Sequence, residues 1–203
     1  MSFELNPLEQ DALTEIFNLG IGRAASALNK MVEDEVILRV PEVVIIPHHR
    51  ATEYIQSHVD DKVTAIRQRV EGDFSGNAIL LFPKSNSLQL VRTLLKDQVP
   101  LDNLTELEQE ALLEVGNVML NACFGTVTNL LQLNITISLP EMEQGKVEDI
   151  VKLGSKDAWA LMLQVHFSLP NKDIEGFVSF IADVISMQHL KSSLVRFVNQ
   201  IGS

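Results

Sequence analysis

Cysteine is almost missing from this chain: Cys123 is the only one in 203 residues. A single thiol makes no internal disulfide and supplies no Cys-rich zinc site, so a disulfide-stapled secreted scaffold is excluded and a reducing compartment is expected. Positive charge is also short. The 16 Lys and Arg face 27 Asp and Glu, for a formal net charge of −11, and such a chain is repelled by phosphate backbones and anionic lipid. Neither nucleic acid nor a membrane surface is an expected partner. No stretch approaches the ~18 consecutive apolar residues of a membrane span. The opening residues, Met-Ser-Phe-Glu-Leu-Asn-Pro, lack the basic and apolar regions of a secretory leader. The expected location is therefore cytoplasmic. What is present is ordinary core material, 46% hydrophobic and 21% charged residues, which is the composition of a folded domain.

The chain repeats itself. Residues 8–18 read LEQDALTEIFN and residues 107–117 read LEQEALLEVGN, with seven of eleven positions identical at an offset of 99. The same offset carries Pro41-Glu42 onto Pro140-Glu141. Further on the register loosens while the order persists: Glu53-Tyr-Ile matches Glu148-Asp-Ile, and the segment from Phe74 matches the segment from Ile174. The expected organisation is one domain built of two repeats, about 1–100 and 101–203. The junction is placed near 97–106, where Asp97, Pro100, Asp102 and Asn103 interrupt the apolar pattern.

Within each copy the periods alternate. Helical spacing runs over 8–31 and 107–131, and Thr105 with Glu108 forms a capping-box pattern before the second run. Strands are expected at 36–46 and 134–139, and brief helices near 51–58 and 146–153. Hairpin strands follow at 65–70 with 74–82 and at 158–168 with 174–181, then closing helices at 85–96 and 185–200. Helix, strand, short helix, two strands and helix, taken twice, predict an α/β (α+β) fold whose sheet is largely antiparallel.

On a wheel of ~100° per residue, Leu13, Phe17, Ile21, Ala24 and Leu28 share one face. Asp11, Glu15, Asn18 and Gly22 form a stripe on the other side, and Glu110, Glu114, Asn117 and Asn121 fall in the same places in the second helix. Each glutamate alone reads as a solvated position, because Glu is a good helix former. Asparagine is different. It competes for backbone hydrogen bonds in a helix interior, so neither propensity nor packing asks for Asn18 or Asn117. Gly20 and Gly22 cost about 1 kcal/mol each relative to Ala, and small residues on such a face let another backbone come close.

A carboxamide both donates and accepts, so it can hold a water in line with an electrophile. A glutamate beside it can pair with a cation in a partner's site, or orient the amide. No pocket, nucleophile or metal cluster accompanies the stripe, so its chemistry has to be completed by another molecule.

The pattern Asp11, Glu15, Asn18, Pro41, repeated as Glu110, Glu114, Asn117, Pro140, resembles the signature of the CheC/CheX/FliY family of chemotaxis phosphatases. Two copies in one polypeptide are similar to the CheC type, whereas CheX-type members resemble a single-site unit that dimerises. A FliY-type protein would need an N-terminal peptide and a C-terminal domain, for which no room is expected here. The resemblance implies a phosphatase acting on the aspartyl phosphate of a phosphorylated CheY-like response regulator. It assigns Asn18 and Asn117 to the attacking water and Glu15 and Glu114 to the regulator's lysine. Asp11, Gly22, Glu110 and Asn121 are then expected to meet the partner. No cofactor of the chain's own is implied, since Mg2+ comes with the regulator. The family fold implies a pseudo-twofold, continuous six-stranded sheet with the two motif helices side by side on one face. CheD, a receptor deamidase, is a further partner implied by the resemblance alone, and the alternative reading is a non-catalytic adaptor that regulates it or sequesters a regulator.

Two departures weaken the second copy: Glu110 stands where the family has Asp or Ser, and Asn121 stands where the first copy has Gly22. Of the two, Asn18 is the stronger expectation. Elsewhere, His48, His49, Glu53 and His58 are near in sequence without convergent geometry. Arg67 and Arg69 are expected on a solvated strand face, Cys123 as a buried small hydrophobe, Trp159 in the core, and Pro41 and Pro140 at strand ends or turns.

Overall fold

A computed structural model describes residues 3–32, 35–40, 42–59, 61–95, 105–152, 157–169 and 172–201. Pro41 and most of the expected repeat junction lie outside the described residues. In chain order the elements are α1 (Pro7–Val32), β1 (Ile37–Arg39), β2 (Val43–Pro47), α2 (Ala51–Gln56), β3 (Lys62–Gly72), β4 (Gly76–Pro83) and α3 (Lys84–Leu95). They continue as α4 (Glu106–Leu131), β5 (Ile135–Ile137), β6 (Glu141–Lys146), α5 (Val147–Val151), β7 (Trp159–Leu169), β8 (Lys172–Ala182) and α6 (Val184–Ile201).

One antiparallel sheet contains all eight strands, in the order β1-β7-β8-β4-β3-β5, with β2 continuing β1 along β7 and β6 continuing β5 along β3. Counted by position the sheet is six strands wide. Its edges are exchanged: β1 and β2, from the first half of the chain, pair with β7, while β5 and β6, from the second half, pair with β3. The centre is the β4–β8 contact.

Alternation along the strands separates two cores. Leu80, Phe82, Val178, Phe180, Leu161 and Leu163 are buried with residues of α1, α3, α4 and α6. Ile79, Leu81, Phe177, Ile181, Ala160 and Met162 are buried with Ala51 and Ile55 of α2 and Val147, Ile150 and Val151 of α5. The sheet therefore has the long helices on one side and the two short ones on the other.

Sequence expectation and structure differ at β6. The segment Glu-Met-Glu-Gln-Gly-Lys lacks β-branched residues and shows no apolar alternation, yet pairs with Lys62–Arg67 over its whole length. It is an edge, so strand pairing on one side suffices, and local propensity is overridden. The strand expected at 36–46 is broken into β1 and β2.

Both motif helices start in the same way. Thr105 and Glu108 form the expected capping box, with Glu108 N donating to Thr105 Oγ1 at 3.3 Å and Thr105 N donating to Glu108 Oε2 at 2.7 Å. Asn6 and Glu9 repeat it: Glu9 N donates to Asn6 Oδ1 at 2.9 Å and Asn6 N to Glu9 Oε2 at 3.1 Å. Each capping glutamate is nearly buried and meets a cation from the closing helix of the other half, Arg92 Nε at 3.3 Å from Glu108 and Lys191 Nζ at 4.0 Å from Glu9. The Thr105 amide, ahead of the Arg92 guanidinium, holds the Glu108 carboxyl below the usual range.

α4 is long and apolar enough by length and composition to cross a membrane, and half of its most apolar stretch is buried inside the protein. Leu112, Val115, Met119, Leu120, Cys123, Phe124 and Val127 fill the core from that helix, so its hydropathy serves packing.

Candidate functional site

α1 and α4 pack against each other on the same face of the sheet, with the Phe17 and Phe124 rings 6.5 Å apart edge to face. The apolar positions at helical spacing are buried at Leu13, Phe17, Ile21, Ala24 and Leu28 on α1 and at Leu112, Met119, Cys123 and Val127 on α4, whereas Leu130, at the end of the α4 run, is only half-buried. The opposite stripes are presented outward. Asp11, Glu15, Asn18 and Gly22 are all exposed, as are Glu110, Glu114 and Asn121, while Asn117 is half-buried.

Gly20 and Gly22, read together from sequence, separate in the structure. A Cβ on Gly20 meets the Cα of Cys123 at 2.9 Å, whereas one on Gly22 meets nothing within 4 Å. Gly20 thus lets α4 approach α1, and only Gly22 belongs to the outward stripe. Gly116 has a third role: a Cβ there would run into the Ile66 side chain, so α4 lies directly on β3.

The two asparagines differ in their surroundings. Among the described residues the Asn18 side chain makes no hydrogen bond and is open to solvent. Asn117, on the equivalent stripe, is instead held by neighbouring side chains. Its Oδ1 accepts from Gln68 Nε2 at 3.1 Å and from Asn121 Nδ2 at 2.6 Å. Gln68 lies on β3, buried to 2% exposure beneath α4, and also donates to the backbone oxygen of Ser138 at 2.9 Å. Sequence reading missed Gln68, although a lone carboxamide among Ile66, Arg67 and Val70 on a core strand is a detectable signal. It also passed over Leu8 and Leu107, equivalent residues on the outward stripes that are 62% and 63% exposed.

The remaining candidates resolve simply. Burial pushes the Cys123 thiol up to about 12, so it is inert. Among the described residues no three His, Cys, Asp or Glu side chains converge as metal ligands. His48 Nε2 lies 2.6 Å from Val151 O, and His58 Nδ1 lies 2.9 Å from Tyr54 O. Arg67 is not on a solvated face: its guanidinium makes a two-pronged contact with Glu143, 2.9 Å for each prong, and donates to Ile150 O at 3.0 Å. Arg69 is exposed. Trp159 is half-buried, its ring 5.7 Å from that of Phe3.

Residues 8–45, which hold the first motif helix, match the CheC-like family model. The chain is 26% identical to the CheY-P phosphatase CheC of Bacillus subtilis over 66% of its own length and 65% of that protein's. The chain is similar to the CheC-type chemotaxis phosphatases of the CheC/CheX/FliY family. The flagellar motor switch phosphatase FliY of Bacillus subtilis is also 26% identical, over 69% of this chain and 36% of that one. The chain thus matches less than two thirds of the length of either curated relative. In fold it superposes on Thermotoga maritima FliY with a TM-score of 0.76 at 16% identity, covering 96% of this chain and 100% of that one. The Borrelia burgdorferi structure of a CheX-CheY-BeF3-Mg+2 complex matches at a TM-score of 0.51 and 19% identity, over 84% and 99% of the two chains. The chain thus shares its fold with these structures.

Proposed function

We propose that this chain hydrolyses the aspartyl phosphate of a phosphorylated CheY-like response regulator. The observation that carries the reading is Asn18 with Glu15, both exposed on one stripe of α1, the amide free of hydrogen bonds among the described residues. The names of the Bacillus subtilis relatives and the CheX-CheY complex support it.

In this reading α1 docks on the regulator and Asn18 enters beside the acyl phosphate. Its Oδ1 accepts a hydrogen bond from the attacking water and so fixes the oxygen in line with phosphorus. Water oxygen bonds to phosphorus, the bond from phosphorus to the aspartyl oxygen breaks, and carboxylate and inorganic phosphate separate. Glu15 pairs with the regulator's lysine and sets the depth of entry, with Asp11 and Gly22 against the partner surface. Glu110, Glu114, Asn117 and Asn121 stand at the corresponding positions on α4, facing the same partner. Mg2+ belongs to the regulator as substrate, and the reaction takes place in the cytoplasm with it. Phosphoryl transfer is mostly positioning and electrostatics, which suits a site with no nucleophile of its own.

The test is release of inorganic phosphate from phosphorylated CheY-type regulators, with and without the protein, for wild type and Asn18→Ala. Acceleration that falls with the substitution is the expected result. No acceleration by a folded protein sinks the proposal and moves the search to a binding role, such as regulation of a CheD-like deamidase.

A further inference from the structure

The two asparagines occupy equivalent positions but offer different atoms to a ligand. Gln68 Nε2 lies 2.9 Å from the Ser138 backbone oxygen, which only accepts, so the nitrogen of that carboxamide is fixed. The same nitrogen lies 3.1 Å from Asn117, whose facing atom must then be Oδ1. Asn121 is fixed likewise: its Nδ2 donates at 2.8 Å to the Asn117 backbone oxygen and at 2.6 Å to Asn117 Oδ1. Two backbone carbonyls thus settle amide orientations that are otherwise a matter of assignment. An amide oxygen has two lone pairs, and both are taken.

The first copy has neither donor. Gly22 stands where the second has Asn121. Leu38 and Ile137, equivalent in the repeat, pair with Phe167 and Val70, so the strand residue corresponding to Gln68 is Val165, which is buried and apolar. The arrangement around Asn117 is also costly, because the buried Gln68 Oε1 has no hydrogen-bond partner among the described residues.

We infer that Gln68 and Asn121 are positioning residues that make the second copy a donor-only site. Asn117 retains its Nδ2 hydrogens for an acceptor on the partner but cannot accept from the attacking water, so hydrolysis runs at Asn18. This rests on the phosphatase reading and divides its two sites into a hydrolytic one and a holding one.

The experiment compares Asn18→Ala, which leaves only the second copy, with the same protein carrying Gln68→Val and Asn121→Ala as well. Phosphate release from a phosphorylated CheY-type receiver should be slow in the first. It should rise about tenfold in kcat in the second, the value of one recovered hydrogen bond. Where Gln68→Val disturbs folding, Asn121→Ala at its exposed position frees one lone pair and must give part of the gain. A readout without activity accompanies it: the side-chain amide resonances of Gln68 should shift on Asn117→Ala. Unmoved Gln68 resonances, no gain on release, or an Asn18→Ala protein as fast as wild type each overturn the inference. A wild-type protein inactive on every receiver overturns the phosphatase reading and the catalytic division with it, while a Gln68 shift then still reports the amide lock itself.

Discussion

The helices α1 and α4 have the same length, the same start and the same outward spacing of glutamate and asparagine, but different floors. Beneath α1 the strand residue is Val165, and the helix buries Phe17; beneath α4 it is Gln68, and Gly116 takes the place of Phe17. The glycine brings α4 onto Ile66 of β3, and that closeness puts a strand carboxamide within reach of Asn117. The comparison teaches that repeating a motif does not repeat its chemistry. What an exposed amide can do depends on which lone pairs its neighbours leave.

The largest expected effect breaks the comparison at its functional end. Asn18→Ala should slow regulator dephosphorylation on the order of a hundredfold, the scale of losing one positioned water, and Asn117→Ala should cost much less; equal losses in phosphate release would make the copies equivalent. Next come the packing glycines. Gly20→Ala pushes a methyl against the Cys123 backbone and Gly116→Ala pushes one into Ile66, so each should lose ~1–3 kcal/mol of stability in chemical denaturation despite better helix propensity.

Capping is where the copies agree, and the prediction tests that agreement. Thr105→Ala and Asn6→Ala should each cost about 1 kcal/mol in urea unfolding. The folded protein holds Glu108 below its unfolded value. Its contribution is therefore full above the ordinary carboxylate pKa and is lost as pH falls through the depressed folded value. Glu108→Gln should flatten that acid limb of the stability curve, and an unchanged limb would show that the box carries no charge effect. The smallest effect is Gly22→Ala, expected to raise stability by ~1 kcal/mol because nothing crowds the site. Loss of regulator binding in that stabilised variant, measured by titration, would mark Gly22 as the point of close approach.

Much of this is legible in the sequence. The internal match exposed the doubled stripe, and helical periodicity placed Leu13, Phe17 and Cys123 inward and Glu15 and Asn18 outward. Strand runs located both hairpins. Other features were not legible. Gly20 looked like Gly22 because a wheel gives an angle, not a neighbour, and only the crossing of α4 over α1 separates them. Arg67 looked solvated until Glu143 arrived from β6, a strand with no strand-like sequence. Gln68 gave no sign of its target, since Asn117 is 49 residues away along the chain.

By itself the sequence determined what is local and periodic: the helices and their caps, the hairpins, the face each side chain takes, and the duplication of the Glu and Asn pair. These follow from backbone geometry and from which residues shed water. Tertiary structure alone decided which strands meet across the two halves, how near α4 lies to β3, and hence that Asn117 is held while Asn18 is free. Those outcomes depend on contacts between residues far apart in the chain, where a difference of one methyl group or one lone pair sets the result and no local pattern records it.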